Sequence, residues 1–320
     1  MTDKEKILVI GANGQIGTEL TEELARRYGR DRVVAADIAP EGRHADLAYE
    51  SFSVLDEISL RSVMQRHGIT QIYHLAATLS AVGEHAPRPS WDLNMDGLLN
   101  VLEMARETGA RVFWPSSIAA FGPTTPALDT PQKTVMEPTT VYGIAKLAGE
   151  GWCRWYHAKH GVDVRSLRYP GLISWKTAPG GGTTDYAVDV FHCAVQGTRF
   201  QCFLNADETL PMMYMSDAVR ATIELMEAPA DSIRERGSYN VAGISFSPQQ
   251  IVDELHRQGA TFPVTFAPDY RQDIAAAWPD SIDDTQARQD WGWQPEYDLP
   301  RMVEEMLCQL RKQHAVHVAA

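Results

Sequence analysis

Basic residues are scarce in this 320-residue chain. Its 29 Lys and Arg face 42 Asp and Glu, for a net charge of −13. A surface this acidic repels phosphate backbones, which excludes nucleic acid as a partner. Docking on anionic membranes is disfavoured on the same ground. Long apolar runs are also absent. No stretch approaches the roughly 18 to 20 residues that a membrane span requires. The charged start at residues 1–6 leads into only a brief apolar run, Ile7–Ile10, too short for a secretory signal. Cysteine is sparse: Cys153, Cys193, Cys202 and Cys308 form no Cys-x-x-Cys pair, which argues against a disulfide framework or a zinc site. The expectation is a cytoplasmic protein with reduced thiols and no metal. Repeats and low-complexity tracts are missing too; the nearest thing to a flexible insert is Pro179-Gly180-Gly181-Gly182-Thr183-Thr184. What is present is ordinary globular material, 44% hydrophobic and 22% charged, in a chain long enough for a sizeable core.

Over the first half, short apolar runs alternate with longer amphipathic ones. Strands are expected at 6–10, 32–36, 71–77, 111–115 and 162–167. Helices are expected at 15–28, stopped by Gly29, at 89–107, stopped near Gly109, and at 140–159, stopped by Gly161. That alternation predicts βαβ units, hence an α/β fold with a Rossmann-type, doubly wound parallel sheet. The second half is less regular. Helical spacing recurs at 186–195, 216–228, 248–257 and 299–312, with a short strand at 239–241 and Pro-, Gly- and Trp-rich segments between. This composition suits a smaller α/β substrate-binding lobe. The expected division is 1–173 with 213–241 for the nucleotide-binding domain, and 174–212 with 242–320 for the lobe.

The first strand runs into Gly11-Ala12-Asn13-Gly14-Gln15-Ile16-Gly17 and then a helix. Gly11 permits a tight turn, Gly14 lets the backbone approach a pyrophosphate, and Gly17 lets helix and strand pack closely. The helix N-terminus adds free N–H groups and a positive dipole. Glycine spacing alone is weak, since a plain strand–helix turn has the same look; the strand-then-helix context supplies the support. Asp37 closes the second strand. A carboxylate there accepts both ribose hydroxyls of adenosine and repels a 2′-phosphate, favouring NAD over NADP. Its bland alternative is a solvated loop aspartate.

Tyr142 and Lys146 lie four apart on one face of the 140–159 helix. A tyrosine hydroxyl, ordinarily near pKa 10, is a poor base at neutral pH, and a neighbouring ammonium favours its phenolate. That pairing fits a general base acting on an alcohol. Upstream, Ser117 sits just past the strand at 111–115, at the end where parallel sheets place their sites. It is placed to hydrogen-bond a substrate oxygen beside Tyr142. Taken singly these features are common; in this order they are much more specific.

In these residues the chain resembles the short-chain dehydrogenase/reductase superfamily, in its extended class, over nearly its whole length. Besides the glycine loop, Asp37, Ser117 and the Tyr142/Lys146 pair, the likeness covers His74-Leu75-Ala76-Ala77, Asn94 and Arg168-Tyr169-Pro170. It implies that Leu75, Ala76 and Ala77 run along the cofactor and that Tyr169 and Pro170 pass the nicotinamide, with Asn94 also at the cofactor site. One departure stands out. Relatives acting on sugar nucleotides often carry an Asp before the adenine contacts, where this chain has Ser53, so backbone groups of Val54 and Leu55 are the candidates there.

The second half is similar to the short-chain-type L-threonine 3-dehydrogenases, most tellingly in Pro179-Gly180-Gly181-Gly182-Thr183-Thr184-Asp185-Tyr186. That likeness implies NAD-dependent oxidation of the threonine β-hydroxyl to 2-amino-3-ketobutyrate. Tyr142 would be the base, Lys146 would hold the ribose, and Ser117 would orient the oxygen. Ser80 and Thr184 are candidate carboxylate partners, and Thr183 is a further candidate substrate contact. Asp185 is a candidate for the ammonium, or else a cap for the helix that follows it. The glycine run is either the hinge of a lid or an ungated surface loop. The rival is a nucleotide-sugar epimerase or dehydratase, whose site must neutralise a diphosphate; the acidic, Lys/Arg-free stretch 278–284 is taken as evidence against it. A non-catalytic NAD-sensing scaffold is a third reading, opposed by the intact Ser117, Tyr142 and Lys146. His157 and His160 are read as solvated or capping rather than metal-binding, and Trp152, Trp155 and Tyr156 as helix-packing surface. The resemblance also implies a homodimer through 89–108 and 140–159.

Overall fold

The computed structural model describes residues 5–177 and 180–319, so residues 1–4 of the charged start and Pro179 of the insert fall outside it. The chain begins with β1 (Ile7–Ile10), α1 (Gln15–Tyr28), β2 (Val33–Asp37), β3 (Ala48–Ser51), α2 (Glu57–His67) and β4 (Gln71–His74). It continues through α3 (Ser80–His85), α4 (Pro87–Trp91), α5 (Gly97–Thr108), β5 (Arg111–Ser117), α6 (Val141–His160), β6 (Val164–Tyr169) and β7 (Gly171–Ile173). Then come α7 (Tyr186–Gln196), β8 (Phe200–Cys202), β9 (Leu210–Tyr214), α8 (Met215–Glu227), β10 (Tyr239–Asn240) and β11 (Ile244–Phe246). The last elements are α9 (Pro248–Arg257), β12 (Val264–Phe266), α10 (Tyr270–Ala275), α11 (Thr285–Trp291) and α12 (Leu299–Ala319).

The apolar strands are buried on both faces and form a seven-stranded parallel sheet in the order β10-β6-β5-β4-β1-β2-β3. Register brings their carboxyl ends to one edge: Ile10 pairs with Ala36 and with His74, and Ser117 pairs with Tyr169. Chain order reverses between β1 and β4, where doubly wound folds bind ligands. On one face, Leu20 and Leu24 of α1 pack with Met215 and Ile223 of α8, and Trp293, C-terminal to α11, joins them. On the other, Leu60 of α2, Leu98 and Leu102 of α5 and Ala145 and Cys153 of α6 close the layer. A third cluster gathers Val188 and Phe191 of α7, Leu255 of α9 and Met302 and Met306 of α12. A mixed sheet β11-β9-β7 and a pair β12-β8 lie outside the main sheet. Among the described residues no helix is long and apolar enough to cross a membrane.

Two expected elements differ. The strand expected at 71–77 ends at His74; Leu75 donates one last bond to the Ile10 carbonyl at 2.8 Å and the chain then leaves the sheet. The helix expected at 89–107 is broken into α4, a π-helical turn Asp92–Asp96 and α5. The cause is Asn94, whose side chain bonds both backbone groups of Thr78, at 2.8 and 3.2 Å, so the helix widens to meet the segment leaving β4. β3 and α2 were not anticipated. β3 is a half-exposed edge strand without an apolar period, and α2 starts at Asp56, whose Oδ1 accepts the Ile58 and Ser59 amides at 3.1 Å.

Candidate active site

Two adjoining pockets open along the carboxyl edge of the sheet and share Leu75 and Ala77 as a common wall. The first, of about 250 Å³, is built on the glycine loop. Gly11 has φ +85°, and a Cβ on it would strike the Ala76 backbone. A Cβ on Gly17 would overlap the Gly11 carbonyl, so both positions are confined to glycine by close approach. No side chain caps α1 at Gly14. The amides of Gln15, Ile16 and Gly17 precede the first i→i−4 bond, from Thr18 to Gly14, and are left for an anion. Asp37 lines the same pocket; its two oxygens accept the amides of Asn13 at 3.0 Å and Ala39 at 3.2 Å. Phe52, Ser53, Val54 and Leu93 complete the wall. A cradle walled by glycine backbone, ending at a carboxylate, fits a dinucleotide with an unphosphorylated ribose.

The second pocket, of about 150 Å³, brings together Ser117, Tyr142, Lys146, Tyr169 and Pro170 with Ser80, Thr183, Thr184 and Asp185. α6 reaches this edge because Thr140 Oγ1 accepts the Gly143 amide at 3.0 Å and because Gly143 abuts the Ala119 carbonyl, leaving no room for a Cβ. Glu84 of α3 accepts the Val141 amide at 2.8 Å and thereby couples the segment carrying Ser80 to the helix carrying Tyr142. Lys146 is buried, donates from Nζ to the Pro115 carbonyl at 2.6 Å, and lies 4.5 Å from the Trp114 ring and 5.3 Å from the Tyr142 ring.

Burial drives these two groups apart. It raises Tyr142 to about 12, with the Ser117 hydroxyl opposing, and lowers Lys146 to about 7, with Cys153 and Glu150 opposing. The phenol therefore lies above its ordinary value, and not below it as the pairing with Lys146 leads one to expect, because desolvation sets the direction.

Ser80 and Thr183 are buried with their hydroxyls 3.5 Å apart. Asp185 does not cap α7. Its Oδ2 accepts the Gly181 and Gly182 amides, each at 2.7 Å, folding the glycine run back over the cleft, and burial raises its pKa.

Several sequence candidates lie elsewhere. Leu55 is outside the nucleotide pocket, and its amide is turned to Ser53 Oγ at 3.3 Å. Asn94 is spent on Thr78, so its contribution is to the shape of the cofactor wall. The Tyr169 hydroxyl points into the core onto Thr222. The acidic stretch 278–284 also needs correction. Only Trp278 lines the cleft, while Asp284 is paired with Arg288 at 2.6 Å and Asp283 with the Thr285 amide at 2.9 Å. Those charges therefore say nothing about a diphosphate. Among the lining residues missed as site residues are Trp278 and Leu79. Neither belongs to a spaced motif, so only the fold reveals them. A larger depression of about 430 Å³ lies beside α1 and α8, lined by Glu19, Lys176 and Arg220, and none of the groups above faces it.

Comparison with known proteins agrees with this geometry. A family model described as "NAD dependent epimerase/dehydratase family" matches residues 7–242. A mitochondrial L-threonine 3-dehydrogenase of Bos taurus is 44% identical over 308 residues, 95% of this chain and 82% of that protein. The holo form of a GalE-like L-threonine dehydrogenase from Cupriavidus necator superposes with a TM-score of 0.94 at 66% identity, covering 95% of this chain and 99% of that one. A structure described as a monomeric L-threonine 3-dehydrogenase from a metagenome, in apo form, gives 0.93 at 47% identity, covering 96% and 99%.

Proposed function

The chain belongs to the NAD dependent epimerase/dehydratase family, and from that footing we propose that it oxidises the β-hydroxyl of L-threonine to 2-amino-3-ketobutyrate with NAD. The observation that carries the reading is one cleft in which Ser117, Tyr142 and Lys146 face Ser80, Thr183, Thr184 and Asp185 beside a glycine-walled nucleotide cradle. NAD supplies the hydride acceptor for the substrate carbon. The chain's own groups do the rest. Gly11, Gly14, Gln15, Ile16 and Gly17 receive the pyrophosphate, and Asp37 receives the adenosine ribose. Tyr142 takes the hydroxyl proton, Ser117 holds the same oxygen, and the Lys146 ammonium stabilises the phenolate and grips the second ribose. Ser80 and Thr184 suit the carboxylate and Asp185 the ammonium of a small zwitterion. Trp278 and Leu79 close the apolar side and exclude water.

Residues 1–173 and 213–241 carry the cofactor in this reading, and 174–212 with 242–320 cover it. Free thiols at all four cysteines fit a cytoplasmic setting. The exposed Trp91, Ile144, Trp152 and Trp155 on α4 and α6 suit a two-fold contact with a second copy. Sedimentation at micromolar concentration is expected to give a dimer; a monomer refutes that contact.

The activity is tested by mixing the purified chain with NAD and L-threonine and following NADH absorbance. Steady NADH formation is expected. Conversion of a UDP-sugar with no threonine turnover would overturn the reading.

A further inference from the structure

Behind the reacting groups lies a buried charged network that the chemistry above does not use. Glu150 sits on α6 one turn beyond Lys146 and is fully buried. Its Oε1 accepts from Ser116 Oγ at 2.7 Å and from Arg168 Nε at 2.8 Å, and its Oε2 accepts from Arg168 Nη2 at 2.8 Å. Arg168, 3% exposed, also donates to the Gln132 carbonyl and to Asn240 Oδ1, each at 2.9 Å. One carboxylate thus joins α6 to the ends of β5 and β6, and through Arg168 to β10. The positions it fixes adjoin the reacting groups: Ser116 precedes Ser117, the neighbouring Pro115 carbonyl receives Lys146, and Arg168 precedes Tyr169 and Pro170.

A buried ion pair seldom outperforms well-packed apolar residues in stability, so stability alone is a poor account of this one. Charge is a better account. The groups facing Lys146 are Tyr142, Glu150 and Cys153 from α6, His74 from β4, and the Trp114 ring and Pro115 carbonyl from β5. Burial keeps the Tyr142 phenol and the Cys153 thiol protonated and the His74 ring neutral. Of these neighbours, Glu150 is the one carboxylate, paired with Arg168 at 2.8 Å and with Arg154 at 3.9 Å. We propose that Glu150 and Arg168 are a positioning pair for Lys146. Glu150 holds the ammonium charged and aligned, and Arg168 governs how much of the carboxylate's field reaches it. Burial leaves Lys146 near 7, so loss of its one anionic neighbour turns it neutral where the enzyme works.

The proposal rests on the placement of Lys146 beside Tyr142 in the reading above, but its test does not require threonine as substrate. The Lys146 side chain is titrated in the intact protein by NMR with ¹³C-labelled lysine, and Lys146→Met identifies its signal. In Glu150→Gln the midpoint falls by about one pH unit or more, a tenfold loss of proton affinity. In Arg168→Gln it rises, because the carboxylate then keeps only the more distant Arg154, at 3.9 Å, as a counter-charge. The pH at which the rate stops climbing moves with each midpoint. A merely structural pair predicts two unstable variants with no opposite movement, so no shift, or shifts in the same direction, overturns the proposal. If a single variant fails to fold, Glu150→Leu/Arg168→Met removes both charges together and is expected to titrate within about half a pH unit of the parent. A change of a whole pH unit in that variant also overturns it.

Discussion

The Nζ of Lys146 donates to the carbonyl of Pro115 at 2.6 Å, fastening the middle of α6 to the end of β5. The bond sets the distance between the helix that carries Tyr142 and the strand that carries Ser117. It also satisfies one donor of a buried ammonium while leaving others for a ribose. A structural tie and a proposed catalytic group are therefore the same side chain.

Tyr142→Phe is expected to lower kcat by a factor of roughly 100 to 10,000, the usual worth of a general base, while NAD affinity changes little. The parent phenol, held at about 12, gains phenolate as pH rises, so the parent rate climbs until Lys146 loses its proton, near 7, and the variant's rate does not. Steady-state pH profiles of both proteins check this; a variant that keeps the climb removes Tyr142 from the role of base.

At the other end of the cleft, Asp37→Ala takes away a carboxylate that meets the Asn13 and Ala39 amides. NAD binding should weaken by about tenfold, the value of a hydrogen bond to a charged group, while NADP binding tightens. Cofactor titration by tryptophan fluorescence measures both. Unchanged discrimination would leave Asp37 as a loop residue only.

Two glycines of α6 give opposite outcomes. A Cβ at Gly143 overlaps the Ala119 carbonyl, so Gly143→Ala should cost about 1–3 kcal/mol and most of the activity. Gly151, in the same helix, faces open space, and Gly151→Ala should gain about 0.5–1 kcal/mol with activity kept. Thermal unfolding and kcat, measured together, separate the two.

His74 is buried at the end of β4 with neither ring nitrogen partnered among the described residues, and burial lowers its pKa to about 3. The unfolded chain takes up this proton below about 6.5 and the folded chain only below about 3. Stability therefore falls as pH drops through that window. His74→Leu is expected to flatten this acid slope in denaturant unfolding followed from pH 7 to 4; an unchanged slope would assign acid lability to other groups.

The sheet and the clustering of Ser117, Tyr142 and Lys146 were legible because each has a local signature. β1 is four consecutive buried apolar residues, the glycine loop follows at once, and Tyr142 and Lys146 share a helical face. What stayed hidden depends on contacts distant in sequence. Asn94 breaks its helix only because Thr78 approaches it, and Trp278 reaches the cleft only because the chain returns across it. The stretch 278–284 is the instructive failure. Its composition suggested a site without cations, yet only Trp278 of it lines the cleft, and the carboxylates of Asp283 and Asp284 are spent on a helix start and an ion pair. Glu150 and Arg168 carry no spacing signal, being 18 residues apart on a helix and a strand.

The proposed reaction removes hydrogen from the β-carbon of threonine. It is tested most directly with L-threonine deuterated at that carbon, by mass spectrometry of the nicotinamide recovered after turnover. The account predicts reduced cofactor carrying one deuterium and a slower rate than with unlabelled threonine. Reduced cofactor without deuterium, or none formed while a UDP-sugar is converted, would contradict it.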